Sequence, residues 1–231
     1  QFSQNLLKEN KAFILHLTDK AQLSGLPDTA IDAAAQAAKE RNLDGWVITL
    51  DYPSYSPFLI YSDHRDLRKQ LYMARNTECT HDNDSNNINI CKRLINIRQA
   101  MAQLLGYDTF ADYMLKHRMA SNVANVYKLL NDLIKAYKPT AINELKAIED
   151  EARSIEGDDF KLEPWDFSYY SHKLQMKRYD LDSEMLRPYF RLDNVIKGVF
   201  GLATKLYGIT FKESKDIPVY HPDVKAYEVF D

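Results

Sequence analysis

The sequence predicts a mainly α-helical protein with a few short antiparallel strands, on three observations. Glycine is scarce, with seven in 231 residues, under half the usual share of about 7%, which leaves few φ > 0 positions for hairpins or phosphate loops. Apolar residues recur at intervals of three and four along most of the chain, the mark of helices with one buried face. Runs rich in β-forming residues are few and short. Fifteen tyrosines, ten phenylalanines and two tryptophans add rigid apolar area with polar tips, suited to packing between helices.

Phe2 to Asn10 has helix-forming composition, while Phe13 to Leu17 reads equally as a short strand or a helix continuation. Pro27 and Asp28 open an alanine-rich helix through Ile31, Ala34, Ala35 and Ala38 that stops before Asn42. Trp46 to Leu50 and Phe58 to Tyr61 are β-rich runs on either side of a proline-stiffened loop, and they predict a small antiparallel patch over about 46–61. Asp63 is placed to cap a helix over about 64–79 that buries Leu67, Leu71 and Tyr72. After the polar loop 81–87 a helix is expected over about 88–105, with Cys91, Leu94, Ile95, Met101, Leu104 and Leu105 on one face and Gly106 as its stop. Thr109 and Asp112 have capping-box spacing for a helix over about 109–117.

The longest periodic stretch, about 122–156, starts after Ser121 and Asn122 and ends at Gly157. Pro139 falls inside it, where the lost donor and the ring predict a kink or a break. Pro164 occupies a first-turn position for a helix over about 164–178. A short helix over Asp182 to Arg187 precedes a last helix over about 193–207, capped by Asp193 and closed by Gly208. Ile209 to Phe211, Val219-Tyr220 and a terminal strand over about 226–230 read as short strands. No repeat or linker divides the chain, so 1–231 is expected to form one helical segment.

Thirty Lys and Arg against thirty-three Asp and Glu are mixed in sign along the chain, with no cationic cluster dense enough to displace phosphate counterions. No nucleic-acid partner is expected. The apolar runs fall far short of the roughly 18 to 20 residues that span a bilayer, so no membrane association is expected. The chain opens on Gln1 without Met or a signal-type region, and its true start is expected to have been removed. Cys79 and Cys91, the two cysteines, are expected to be reduced thiols, with a disulfide as the alternative in an oxidising compartment.

Zinc chemistry needs imidazoles or carboxylates that converge, commonly two of them one helical turn apart. His16, His64, His81, His117, His172 and His221 include no such pair, and none is followed by Glu. Asp82, Asp84 and Asn86 imitate the start of a calcium loop, but Asn87 replaces the turn glycine and Arg93 stands where a bidentate glutamate belongs. That loop reads as a solvated connection, with Asn83-Asp84-Ser85 an incidental glycosylation match. Glu144, Glu149, Asp150, Glu151, Glu156, Asp158 and Asp159 read as the wet face of the long helix. Composition and spacing by themselves yield a helical segment with no catalytic site of its own.

Leu162-Glu163-Pro164-Trp165-Asp166-Phe167-Ser168-Tyr169-Tyr170 and Leu186-Arg187-Pro188-Tyr189-Phe190 add a different kind of information, as do Leu206-Tyr207-Gly208-Ile209 and Val219-Tyr220-His221-Pro222-Asp223-Val224 with Glu228. Gly45-Trp46, Leu50-Asp51, Tyr61-Ser62-Asp63, Leu67-Arg68 and Ala102-Gln103-Leu104-Leu105-Gly106-Tyr107 stand in the same order. Across nearly its whole length the chain resembles the thimet oligopeptidase family of zinc metallopeptidases, in its bacterial oligopeptidase A and dipeptidyl carboxypeptidase branch. The resemblance implies a large, helical, two-lobed protein whose deep channel admits short peptides to one catalytic zinc. In that family an H-E-x-x-H helix C-terminal to the His-Pro-Asp segment, with a downstream glutamate, supplies the metal ligands and the general base. The chain is therefore expected to be an internal or N-terminal-half fragment that ends before this motif.

No catalytic, cofactor-binding or metal residue is carried onto this sequence, and no metal is expected to bind to it. It is expected to form channel wall and scaffold, inactive alone, of a peptidyl-dipeptidase or oligopeptidase that uses zinc and takes short peptides. Tyr and Trp side chains could line the wall, with plain packing the preferred reading of each, and His221 reads as a turn stabiliser. The alternative is a helical binding or interaction scaffold without catalytic activity. Self-association of the segment through uncovered apolar surface and a strand edge is expected, in the cytoplasm, or alternatively the periplasm.

Overall fold

Phe13 follows the last turn of helix α1 (Phe2–Ala12) in extended backbone, and this settles the first ambiguous run. In the computed structural model, which describes residues 1–231, strand β1 (Leu15–Leu17) pairs antiparallel with β2 (Trp46–Ile48), Leu15 opposite Ile48 and Leu17 opposite Trp46. Both Leu15 and Leu17 are buried while His16 points to solvent, the alternation of a strand with one wet face. Helix α2 (Asp28–Lys39) follows Pro27 as expected and lays Ala34 and Ala38 into the core.

The patch over 46–61 is corrected. Only Trp46–Ile48 is strand, and its partner is β1; residues Tyr52–Tyr61 form helix α3. Pro53 sits in the first turn of α3, where its missing donor costs nothing. Phe58 and Leu59 are buried and Tyr61 is half-buried. A short run apolar on all sides does not distinguish strand from helix, and here the packing against α2 and β2 decided. Asp63 does not cap helix α4 (Arg65–Asn76), whose N-cap is His64 without a side-chain bond; its carboxylate is engaged elsewhere. The first core unites Leu15, Leu17, Leu23, Ile48, Phe58 and Leu71.

Helix α5 (Ile88–Leu104) and helix α6 (Phe110–Leu115) follow, the latter capped by the Thr109 hydroxyl accepting from the Asp112 N–H at 3.1 Å. The apolar face read on α5 is largely uncovered: Ala102 alone is buried, and Leu94, Ile95, Met101, Leu104 and Leu105 are exposed. Helix α7 runs unbroken over Val123–Glu156, capped by Asn122 accepting from the Asn125 N–H. Pro139 produces no break, because its turn lies in water, where the Lys135 carbonyl that loses its donor is solvated. A 3-10 turn (Pro164–Asp166) leads into helix α8 (Phe167–Tyr179). Ile148 and Ala152 of α7 pack with Tyr169 and Tyr170 of α8 in a second core.

Residues 1–231 divide into two compact units, Gln1–Tyr179 and Asp180–Asp231, instead of the single segment expected. The second holds the short helix α9 (Ser183–Leu186), a 3-10 turn (Arg187–Phe190), helix α10 (Leu192–Tyr207) and the hairpin of β3 (Thr210–Ser214) with β4 (Ala226–Phe230). Phe200 of α10 stacks on Phe211 at 4.1 Å and meets Tyr227 edge-on. No residue of this unit is buried. The cap of α10 is Arg191, not Asp193, which lies inside the first turn where its charge suits the helix dipole. Val219-Tyr220 is not strand. With 63% helix and two two-stranded antiparallel sheets, the fold class is the one the sequence predicts.

Candidate functional site

Asp166 is the most enclosed charge in the molecule, with a side chain wholly shielded from solvent. It closes the 3-10 turn that Pro164 begins, and two cations of the first turns of α4 reach it across about a hundred residues of sequence. Arg65 donates from Nη2 at 2.7 Å and Arg68 from its own Nη2 at 2.9 Å. Arg65 also donates to the Lys161 carbonyl, and Arg68 to the Ser62 carbonyl at 2.7 Å. The Glu163 N–H adds a bond to the same carboxylate. Helical spacing puts Arg65 and Arg68 on one face of α4, and the guanidinium planes lie over the rings of Phe160 and Tyr169 at 4.5 and 4.2 Å. Arg68 Nε alone is buried without an acceptor.

Two phenols extend the network. The Tyr169 hydroxyl donates to Asp63 at 2.8 Å, and the Ser24 hydroxyl donates to the other oxygen at 2.6 Å. Burial works against the Asp63 carboxylate, but these bonds and nearby Lys173 hold it below the usual range. Burial and the Asp63 acceptor push the Tyr169 phenol up to about 12. The Tyr170 hydroxyl donates to Glu156 at 2.9 Å, and burial with that carboxylate raises it too. Glu151 accepts from Lys177 at 2.6 Å. Glu151 and Glu156, read from sequence as part of the wet face, are thus bonded to α8.

This constellation ties α3, α4, α7 and α8 together, yet it has no free acid, base or nucleophile. Every carboxylate oxygen of Asp166 is matched by a guanidinium, and the hydroxyls that lie beside a carboxylate, Ser24 and Tyr169 on Asp63 and Tyr170 on Glu156, are spent on bonds that join elements. The adjoining groove is lined by Arg65, Lys69 and Lys161 against Asp66, Asp159 and Glu163, so it carries no net charge to select an ion. Lys69 covers the Trp165 ring at 4.8 Å. A second groove, between α2, β2 and α3, is walled by Ala30, Ala33, Ala34 and Ala37, which bring no chemistry.

The residues do not fit zinc. No group of three or more His, Cys, Asp or Glu side chains is close enough to hold a metal. The nearest approach is Glu9, which accepts from His81 at 2.8 Å and from the Cys79 N–H at 2.6 Å. Burial and Glu9 push the Cys79 thiol up to about 11, so it stays protonated and a poor ligand. Both cysteines are free. His16 meets the Asp44 carbonyl, His64 the Ala21 carbonyl, His172 the ring of Tyr61, and His221 accepts from the Asp223 N–H within its own turn. Asp82 and Asp84 lie in an exposed loop where Asn83 accepts from the Ser85 N–H. Of the aromatic residues suggested for a wall, Tyr169 and Tyr170 are packing residues, whereas Tyr127, Tyr137 and Tyr220 are exposed. No helix is long and apolar enough to cross a membrane.

The residues of this ion network could not be found from spacing, since Arg65 and Asp166 belong to separate local patterns. The one signal was indirect: Arg68 and Asp166 both stand in the landmark segments that carry the resemblance.

Comparison with known proteins agrees with those segments. The chain is similar to oligopeptidase A of Escherichia coli (strain K12), 36% identical over 235 residues, which takes in all of this chain and 34% of that protein. It is similar to the dipeptidyl carboxypeptidase of the same organism, 36% identical over 233 residues, with all of this chain and 34% of that protein covered. Saccharolysin of Saccharomyces cerevisiae is 30% identical over 240 residues, with all of this chain and 33% of that protein covered. The chain spans about a third of the length of these curated relatives. The model of peptidase family M3, a family of zinc metallopeptidases, matches residues 58–231, and the chain belongs to that family.

Proposed function

We propose that this chain is a non-catalytic portion, channel wall and scaffold, of a zinc metallopeptidase that hydrolyses short peptides, with dipeptide release as its reaction. The observation that carries the reading is a family match over residues 58–231 in a chain where no three His, Cys, Asp or Glu side chains converge. A metallopeptidase needs three protein ligands and an open position for water; these must come from outside the 231 residues. Helices clamped by a buried ion network supply what a wall requires, a rigid surface that excludes folded proteins by size. The oligopeptidase and dipeptidyl carboxypeptidase names of the relatives support short peptides as the substrate class.

The test uses two proteins, the 231-residue chain and the longer gene product. Zinc analysis and a quenched-peptide assay should both be negative for the chain. The longer product should release dipeptides and be stopped by a chelator. Peptide cleavage by the chain alone would overturn the reading, and a longer product that neither binds zinc nor cleaves would leave a helical interaction scaffold in its place.

A further inference from the structure

Helix α7 is half covered. Its last turns pack Ile148 and Ala152 under Tyr169 and Tyr170, but every residue from Tyr127 to Lys146 is exposed. That stretch is not a polar rod. Leu130, Leu133, Ile134, Tyr137, Ala141 and Leu145 fall within an arc of about 120° when projected at 100° per residue, and Ile148 and Ala152 lie on the same arc. The stripe that α8 covers at one end therefore continues, uncovered, over about 30 Å of helix. At its far end Val126, Leu129 and Leu130 form an apolar groove with Met119.

Charge marks the border of the stripe and not its centre. At the covered end Lys177 of α8 pairs with Glu151 at 2.6 Å beside the apolar seam. Along the uncovered length Lys128, Lys135, Lys146 and Asp132 project away from the stripe, Lys138 stands at its border, and Glu144 is the one charge within it. The uncovered stripe is thus apolar like the seam that α8 covers, and a helix that continues that seam fits it.

We propose that the stripe from Val126 to Leu145 is the docking face for an amphipathic helix, supplied by the part of the M3 polypeptide beyond these 231 residues. The proposal rests on reading the chain as a portion of a longer peptidase, about three times its length by the coverage of its relatives. The docked helix extends the α7–α8 interface along α7 and completes its burial.

Ile134→Cys, in a Cys91→Ser background, tests this in both proteins; Cys79 is buried and protonated and stays silent. Labelling of the introduced thiol by a water-soluble reagent should be about 100-fold slower in the longer product than in the 231-residue chain. Leu133→Gln with Tyr137→Glu, both in the exposed stripe, should lower the Tm of the longer product and leave that of the chain unchanged. Equal labelling rates overturn the proposal, as does a longer product whose Tm ignores these two substitutions. A discrete dimer of the 231-residue chain, abolished by Ile134→Glu, overturns it in favour of a second copy. Peptide cleavage is not the readout: protection of position 134 in an inactive longer product upholds the docking face and sinks the peptidase reading, and rapid labelling in an active one does the reverse.

Discussion

Asp166 holds two guanidinium groups whose surroundings differ, and the difference sets what each contributes. The side chain of Arg68 is 1% exposed and that of Arg65 is 41% exposed. Removing the carboxylate strands Arg68 without a counter-charge in a dry site, and breaking a buried pair from one side costs about 3–5 kcal/mol. Asp166→Asn should lose stability on that scale in urea denaturation, while Arg65→Ala should lose about 1 kcal/mol or less, because water screens and replaces it. The phenols give a pH signature. Folded Tyr169 keeps its proton up to about 12, against an ordinary value near 10. The stability linked to it is fully present below about pH 10 and is lost as pH rises through about 12. Tyr169→Phe should flatten the alkaline fall of the urea midpoint, though not abolish it, because Tyr170 and Tyr55 are raised as well. Asp63 acts with opposite sign, its contribution present above the ordinary carboxylate range and lost as pH falls through its depressed value. None of these partners was legible locally: nothing in the spacing around Arg68 or Asp166 points to the other, and only the fold of the chain brings them together.

Helix α7 shows how an element can be read correctly and one of its residues misread. Its periodicity and the Asn122 cap give its bounds, since apolar spacing and an N-cap are properties of neighbouring residues. Pro139 points to a break, and the helix passes through it because that turn touches nothing that would make the loss costly. Pro139→Ala should restore the bond to the Lys135 carbonyl and slow amide exchange around Lys135 to Lys138, by about 1–3 kcal/mol of opening free energy. The Tm should change little, because that stretch packs against no other element. A Tm gain of several degrees would show instead that this length of α7 unfolds with the core. Helix α3 is the opposite case. Its prolines and the polar residues between them suggest a loop and its end, Phe58–Tyr61, a strand, yet Pro53 falls in the first turn and the helix runs on through Pro57. Its local signal points away from a helix, and burial of Phe58 and Leu59 against α2 and β2 overrides it.

At the scale of the molecule the apolar surface is out of proportion to the core. Leu192, Val199, Leu202 and Leu206 of α10 are exposed, as are Val229 and Phe230 of β4, and the unit that holds them buries no residue. A two-stranded sheet leaves both of its outer edges open to further pairing. Static light scattering of the 231-residue chain should show mass rising with concentration, and Val229→Lys should reduce it by placing a charge on the strand. A monodisperse monomer at high concentration would count against uncovered surface as the cause. By itself the sequence determined the helical class and, through ordered landmark segments, the family. These depend on residues near one another in the chain or on their order along it. Only the tertiary structure decided that β2 pairs with β1, that residues 52–61 are helix, that the chain forms two units, and that Asp166 is clamped by Arg65 and Arg68. Each of these rests on contacts between distant residues, whose strength is set by burial and charge at a place that local spacing does not encode.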